Sequence, residues 1–297
     1  MDRTFVILRH TFWEAIVQPI YSLLLGIGGT ILVVFGLLPF FTLGEDTIMY
    51  KAVALDVVLL IVLVMTLFAT SRSIFEEIED RTMLTLMSKP IRRWEVLVGK
   101  YLGIIGAAAL AIVIFGSIIM FCTYFRIATD YQIRQYTMDE GDLKLLHDYR
   151  VMHLAGLVPS FVMVWLQISV LAAIGVALST RFSLVVNLPT VILIYIAGNL
   201  TRFLFPLAGR TALVKAFGYV ASSLLPFLQV FDMRSLTLYH DIGVPGTNYY
   251  GAPGAVPLSV IWTGVLLAGA YGIAYATFAL GAGMWLFETR ELGGAEG

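Results

Sequence analysis

The sequence predicts an all-α integral membrane protein with six transmembrane helices, and three observations carry that prediction. Of its 297 residues, 59% are hydrophobic and only 13% charged, with a mean hydropathy of +0.87. That leaves too few polar side chains to cover a soluble fold of this length. Six apolar runs suited to crossing a bilayer, at 20–41, 53–71, 101–125, 154–178, 184–200 and 258–287, alternate with polar segments. One such segment, 72–100, holds six of the nineteen Lys and Arg: Arg72, Arg81, Lys89, Arg92, Arg93 and Lys100. A short loop this basic belongs on the cytoplasmic side of a cell membrane. Residues 1–297 then form a single transmembrane domain with both termini cytoplasmic.

In residues 1–18, Arg3, Arg9 and Glu14 stand among Phe5, Leu8, Phe12, Trp13 and Ile16 at roughly helical spacing. This pattern predicts an N-terminal interfacial helix. Residues 20–41 carry no charge, are too long for a signal-peptide core and are followed by no A-x-A site, so they remain as the first span. Gly26, Gly28 and Gly29 within it permit close helix approach. Residues 44–51 read as a short outer turn. The second span, 53–71, carries Asp56 near its outer end, within reach of water or Lys51.

In the loop 72–100, Glu76, Glu77, Glu79 and Asp80 load the first turns, where acids suit a helix N-terminus. Ile74, Ile78, Leu84 and Met87 form an apolar stripe beside them. Pro90 ends this helix, because the residue before proline is pushed out of the α region. A second helix starts near Arg93 and enters the membrane at Val96. The loop is therefore predicted to place a helix across the cytoplasmic face.

The third span, 101–125, has Gly99, Gly103 and Gly106 at small-residue spacing toward its inner end. Cys122, inside this span, is the one cysteine, so no intramolecular disulfide forms, and a buried small side chain is the expected role. Residues 126–153 form a polar outer segment with a short helical pattern at 142–149 and four basic residues. Ten Lys and Arg fall on predicted inner segments against nine outside, so orientation rests on the central loop.

Pro159 lies near the outer start of the fourth span, 154–178, and Gln167 at its middle, where an interhelical hydrogen bond is the default role. An inner turn at 179–183 leads to the fifth span, 184–200, with Asn187, Pro189 and Asn199. Gln167, Asn187 and Asn199 are the candidates for a substrate path. Leu213, Phe217, Val220 and Leu224 recur at helical spacing in 211–228, with Lys215, Gly218 and Ser222 on another face. That amphipathic pattern predicts an interfacial or re-entrant helix before a Pro- and Gly-rich outer loop at 243–257. The sixth span, 258–287, has Gly264, Ala268 and Gly272 on one small-residue edge, and 288–297 is an inner tail.

The run Glu79-Asp80-Arg81-Thr82, then Leu84, Leu86, Ser88-Lys89-Pro90-Ile91, Arg93 and Leu97-Val98-Gly99-Lys100, resembles the first cytoplasmic loop of ABC-2 type permeases, the membrane half of ATP-driven exporters. That family usually shows Gly-Thr where this chain has Arg81-Thr82, and a Ser before the arginine where it has Arg92. The resemblance implies that the loop carries a coupling helix docking into a separate ATPase subunit, through Ile74, Glu76, Ile78, Glu79, Arg81, Thr82, Leu84, Leu86, Pro90 and Arg93. It also implies a second permease copy or paralogue, with a homodimer as the simplest case. Outer helices between the last two spans, ahead of a segment like Leu225-Pro226 and Phe231-Asp232, are common among related permeases.

No G-x-x-x-x-G-K-[ST] occurs, since Gly99-Lys100 is followed by Tyr101 and lacks the upstream Gly. This chain is therefore expected to bind no cofactor of its own, with ATP and magnesium held by the partner ATPase. The formal net charge of −1 argues against a nucleic-acid partner, and membrane lipid surrounds the spans instead. An ion-coupled secondary carrier normally keeps ionisable groups at the midplane, and Asp56 is the only acid within a span. An intramembrane hydrolase would need a nucleophile with its base, but His10, His147, His153 and His240 lie outside the span centres and no H-E-x-x-H or G-x-S-x-G is present. A non-transporting membrane anchor of a complex is the remaining alternative.

Overall fold

The computed structural model describes residues 3–38, 46–79, 92–129, 140–207 and 225–288. Helix α1 (Arg3–Val17) breaks at Gln18, whose backbone leaves the helical region ahead of Pro19. Helix α2 (Pro19–Leu37) starts on that proline, where a missing N–H costs nothing. Helix α3 (Asp46–Thr70) continues through a π-helical segment, Ser71–Glu76, into a last turn, Glu77–Glu79. Then come α4 (Arg93–Ile127), α5 (Glu140–Ser179) and α6 (Leu184–Leu207). A 3₁₀ turn at Leu228–Phe231 and the short α7 (Arg234–Thr237) follow. Last, a parallel pair of two-residue strands, β1 (Ile242–Gly243) and β2 (Val256–Pro257), leads into α8 (Leu258–Glu288).

Among the described residues, five helical stretches are long and apolar enough to cross a membrane by length and composition: Pro19–Leu37, Asp46–Glu79, Arg93–Ile127, Leu143–Ser179 and Leu258–Glu288. Leu184–Leu200 is a shorter apolar helix. The apolar windows of α3 and α5 are 61% and 72% buried, against 17% for α2 and 28% for α8. The first two are therefore the centre of the bundle, and the last two turn most of their apolar surface outward, where lipid can cover it. Leu55, Val58, Leu59, Val62, Leu63 and Leu67 of α3 are almost fully enclosed.

Close helix contacts follow the small residues. A Cβ at Gly103 would fall 2.7 Å from the Leu8 carbonyl oxygen and 2.8 Å from Thr11 Cβ, so this glycine lets α1 lie directly against α4. Polar side chains in the bundle find carbonyls on neighbouring helices: Tyr21 Oη donates to Ala107 O (3.0 Å), Tyr101 Oη to Ser169 O (3.1 Å) and Trp165 Nε1 to Ile105 O (3.1 Å). Each bond ties two helices together where water cannot serve as the alternative partner.

Arginines close two helix C-termini, where carbonyls lack intrahelical partners and the dipole favours a cation. Arg126 Nη1 donates to Phe35 O, Gly36 O and Leu38 O at the end of α2. At the end of α8, Arg93 Nη1 donates to Phe287 O and Glu288 O, and Arg181 Nε to Leu286 O.

Three expectations need correction. The turn predicted at 44–51 is already helical from Asp46, and Lys51 is fully buried, because its Nζ lies 2.6 Å from His153 Nδ1 inside the bundle. The short outer helix predicted at 142–149 is part of α5, whose 40 residues span about 60 Å, roughly twice a hydrocarbon core. Its N-terminal part is held by Asp148, whose Oδ2 accepts from the Asn248 N–H at 3.0 Å. Finally, 71–79 continues α3 and does not begin a separate helix, so Ile74 and Ile78 face the interior of the chain itself. The amphipathic pattern predicted at 211–228 lies largely outside the described residues.

Candidate functional site

Two polar constellations stand at opposite ends of the bundle. The first closes the base of the 72–100 loop. Lys100, near the start of α4, is 3% exposed, and its Nζ reaches Glu77 Oε2 at 2.7 Å, Ser73 Oγ at 3.1 Å and the Ser73 carbonyl oxygen. Both Ser73 and Glu77 belong to the continuation of α3, Ser73 in its π-helical part, a geometry that opens the ladder by one residue. The last turns after α3 and the first turns of α4 are thus fastened together by a buried ammonium.

Glu14 of α1 approaches the same cluster and is pushed above the ordinary carboxylate range by burial, against the pull of Lys100. Its Oε2 is enclosed without a hydrogen-bond partner among the described residues. On the far side of the loop, Glu95 Oε2 accepts from the Arg92 N–H at 2.8 Å and starts α4. Arg93 joins this start to the end of α8, through the bonds above and a guanidinium 5.5 Å from the Phe287 ring centroid.

The second constellation is a cleft of about 40 Å³ between α3, α5, α6 and the 231–234 segment. Its polar lining is Ser160, Gln167, Tyr195, Asn199, Asp232 and Arg234, over an apolar floor that includes Leu55, Leu59 and Phe231. Arg234 makes a two-pronged pair with Asp56, Nη1 to Oδ2 at 2.9 Å and Nη2 to Oδ1 at 2.5 Å, and its Nε lies 3.6 Å from Asp232 Oδ1. Burial lowers the Arg234 pKa, but the Asp56 bond and charge more than offset it, so it stands raised. The fork geometry suits this pairing, which fastens α3 to the start of α7.

Of the residues expected to couple to an ATPase, Glu76 and Glu79 are exposed, Arg93 is half-buried, and Ile74 and Ile78 are packed inside. Arg81, Thr82, Leu84, Leu86 and Pro90 lie outside the described residues. Of the candidates for a substrate path, Gln167 and Asn199 line the cleft together, and Asn187 does not. Asn187 is fully buried, its Nδ2 donating to Gly175 O at 3.1 Å and to Ser179 Oγ at 2.7 Å, so it joins α6 to α5.

Sequence reasoning missed Asp56–Arg234, which are 178 residues apart, and placed Asp56 within reach of water or Lys51. The one available signal was chemical: Asp56 is the only acid within a span, and such a group calls for a cation. It also missed Lys100 as the fastener of the loop, since a lysine at a membrane edge reads equally well as an orientation signal.

None of the curated proteins compared with the chain matches it. The model of the ABC-2 family transporter protein matches residues 28–292, from within α2 to just beyond α8. That span takes in both the fastened loop and the cleft, and with its long apolar helices the chain belongs to the ABC-2 transporter family as the multi-pass membrane permease of an ABC transporter.

Proposed function

We propose that this permease is the membrane half of an ATP-driven exporter, that its 72–100 loop docks on a separate ATPase subunit, and that ATP and magnesium act there. The observation that carries the reading is the fastening of the loop base by Lys100 to Ser73 and Glu77. A force on the loop would reach α3 and α4 together, and through Arg93 the end of α8. ATPase closure would then shift the spans between inward-open and outward-open states, which requires the docked loop to make different contacts in the two. Two permease copies with cytoplasmic termini, six spans each in a prokaryotic cell membrane, complete the reading.

The docking surface comprises Glu76, Glu79 and Arg93, which reach solvent at least in part, together with Arg81, Thr82, Leu84, Leu86 and Pro90. Ile74 and Ile78 support the loop from inside. The test makes Leu84→Ala and Glu79→Lys separately and measures membrane abundance, co-purification of the ATPase and ATP-dependent transport. Burying a leucine is worth about 1.5–3 kcal/mol, so Leu84→Ala lowers partner affinity about ten- to a hundredfold. Glu79→Lys reduces binding with a stronger salt dependence. Normal association and transport in both variants would remove this loop as the coupling element. Association without any substrate flux would favour a membrane anchor.

A further inference from the structure

We propose that the cleft between α3, α5, α6 and the 231–234 segment is a binding site for a primary ammonium group carried on a short apolar body. The inference rests on the reading of the chain as a permease and adds the chemical class of what it takes. Three observations lead to it.

First, the charges do not cancel. Asp56 and Asp232 flank Arg234, and two carboxylates against one guanidinium leave one negative charge at the cleft. Arg234 is committed to Asp56 by both Nη atoms, so it is poorly placed to receive an anion. The Asp232 side chain is 59% exposed, and its Oδ1 meets the Arg234 N–H at 3.3 Å and Nε at 3.6 Å. Its other oxygen has no partner among the described residues.

Second, the cleft holds unused acceptors. Gln167 is 7% exposed, lines the cleft and makes no hydrogen bond among the described residues. Its carboxamide atoms keep access to the cleft, where water or a ligand can complete them. Asn199 Nδ2 is spent on Tyr195 O at 2.8 Å, which leaves its carboxamide oxygen as an acceptor. An ammonium group offers three donors and no acceptor, the complement of a carboxylate with two carboxamide oxygens.

Third, the size and floor fit. About 40 Å³ is room for roughly three waters, by a measure in which one water needs about 10–15 Å³. That accommodates an ammonium head but not a large ring. Leu55, Leu59, Met163 and Val164 give an alkyl chain its apolar contact.

A free alkylamine and the headgroup of an amino-phospholipid share this chemistry, and the experiment separates them. The full-length chain, purified in dodecyl maltoside, is titrated with n-butylammonium, n-butanol and butyrate, which share four carbons and differ in charge. Binding is read by saturation-transfer NMR. Butylammonium binds with Kd on the order of millimolar, and the alcohol and the acid bind at least about tenfold more weakly. Asp232→Asn removes the unbalanced charge and lowers butylammonium affinity about tenfold. Gln167→Leu abolishes the preference for butylammonium while the thermal midpoint confirms folding; should that variant not fold, Asp232→Asn decides alone.

Phosphatidylethanolamine added to the micelles competes if the lipid headgroup is the occupant, while phosphatidylglycerol does not; absence of competition assigns the site to free amines. Equal binding of the three probes, no binding, or a preference unchanged by Asp232→Asn overturns the inference. ATP-dependent transport of another substrate class alongside absent amine binding would overturn the cleft assignment and leave the exporter reading standing. Amine binding with no ATPase partner would do the reverse.

Discussion

Lys100 Nζ and Glu77 Oε2 stand 2.7 Å apart across the base of the cytoplasmic-loop candidate, with the lysine side chain 4% exposed and the glutamate 26%. The pair joins the last turn after α3 to the first turns of α4, and Ser73 accepts from the same ammonium. Lys100→Met therefore removes the ammonium that Glu77 and the Ser73 oxygens share. The expected loss is about 1–3 kcal/mol, below the roughly 3–5 kcal/mol of a fully buried pair because Glu77 keeps access to solvent. A Lys100→Met, Glu77→Gln double variant recovers part of it, because the carboxylate that faced the ammonium is gone as well. Thermal unfolding of the purified variants checks both, and additive losses would show that the two side chains do not interact.

A second prediction concerns the seat of α1. Gly103→Ala places a methyl group 2.7 Å from a backbone oxygen that has no room to move without displacing α1. The cost is about 1–3 kcal/mol, and proteolysis near the N-terminus should become faster as α1 lifts. Gly26 meets nothing within 4 Å, so Gly26→Ala is the control and leaves stability unchanged or slightly raised. Equal effects at the two positions would mean that α1 is not seated on Gly103.

Glu14 supplies a pH test. Burial raises its pKa above the ordinary value, with Lys100 opposing. For an acid with a raised folded-state pKa, the stabilising contribution is present below the unfolded value and is lost as pH rises through the folded one. Glu14→Gln should therefore raise the thermal midpoint at pH 7 and make no difference once the pH falls below 4.5. A variant that is less stable than the parent at pH 7 would show that the carboxylate form of Glu14 is held favourably.

Topology is checked by replacing Cys122 and introducing single cysteines at Ser88, Asp142, Ser179 and Thr247. An impermeant thiol reagent applied from outside should label positions 142 and 247 and spare 88 and 179. Labelling of 88 or 179 from outside would reject the orientation. A C-terminal reporter on the outside would require an odd number of spans.

The cleft itself was half legible. Gln167 and Asn199 are visible as polar side chains inside apolar runs, and such residues are expensive enough in a membrane to mark themselves. Asn187 carries the same signal, and its Nδ2 is taken up between the Gly175 carbonyl and Ser179 Oγ, away from the cleft. A one-dimensional pattern cannot separate a polar group that faces a cleft from one that faces a carbonyl.

What the sequence determined alone was where the chain is apolar for long enough to cross a membrane, since that property is local and sums residue by residue along the helix. The helices at 19–37, 93–127 and 258–288 follow from it, and so does the break before Pro19, set by one ring and its neighbour. Only the tertiary structure decided which apolar face is inside, because lipid and protein core are equally apolar and hydropathy cannot tell them apart. Ile74 and Ile78 therefore read as a docking stripe and are core residues, while Asp56 reads as a neighbour of Lys51 and pairs with Arg234. Lys51 instead lies against His153, across 102 residues of chain. Each of these partners was chosen by helix packing, which brings together side chains whose separation in sequence carries no information about their separation in space.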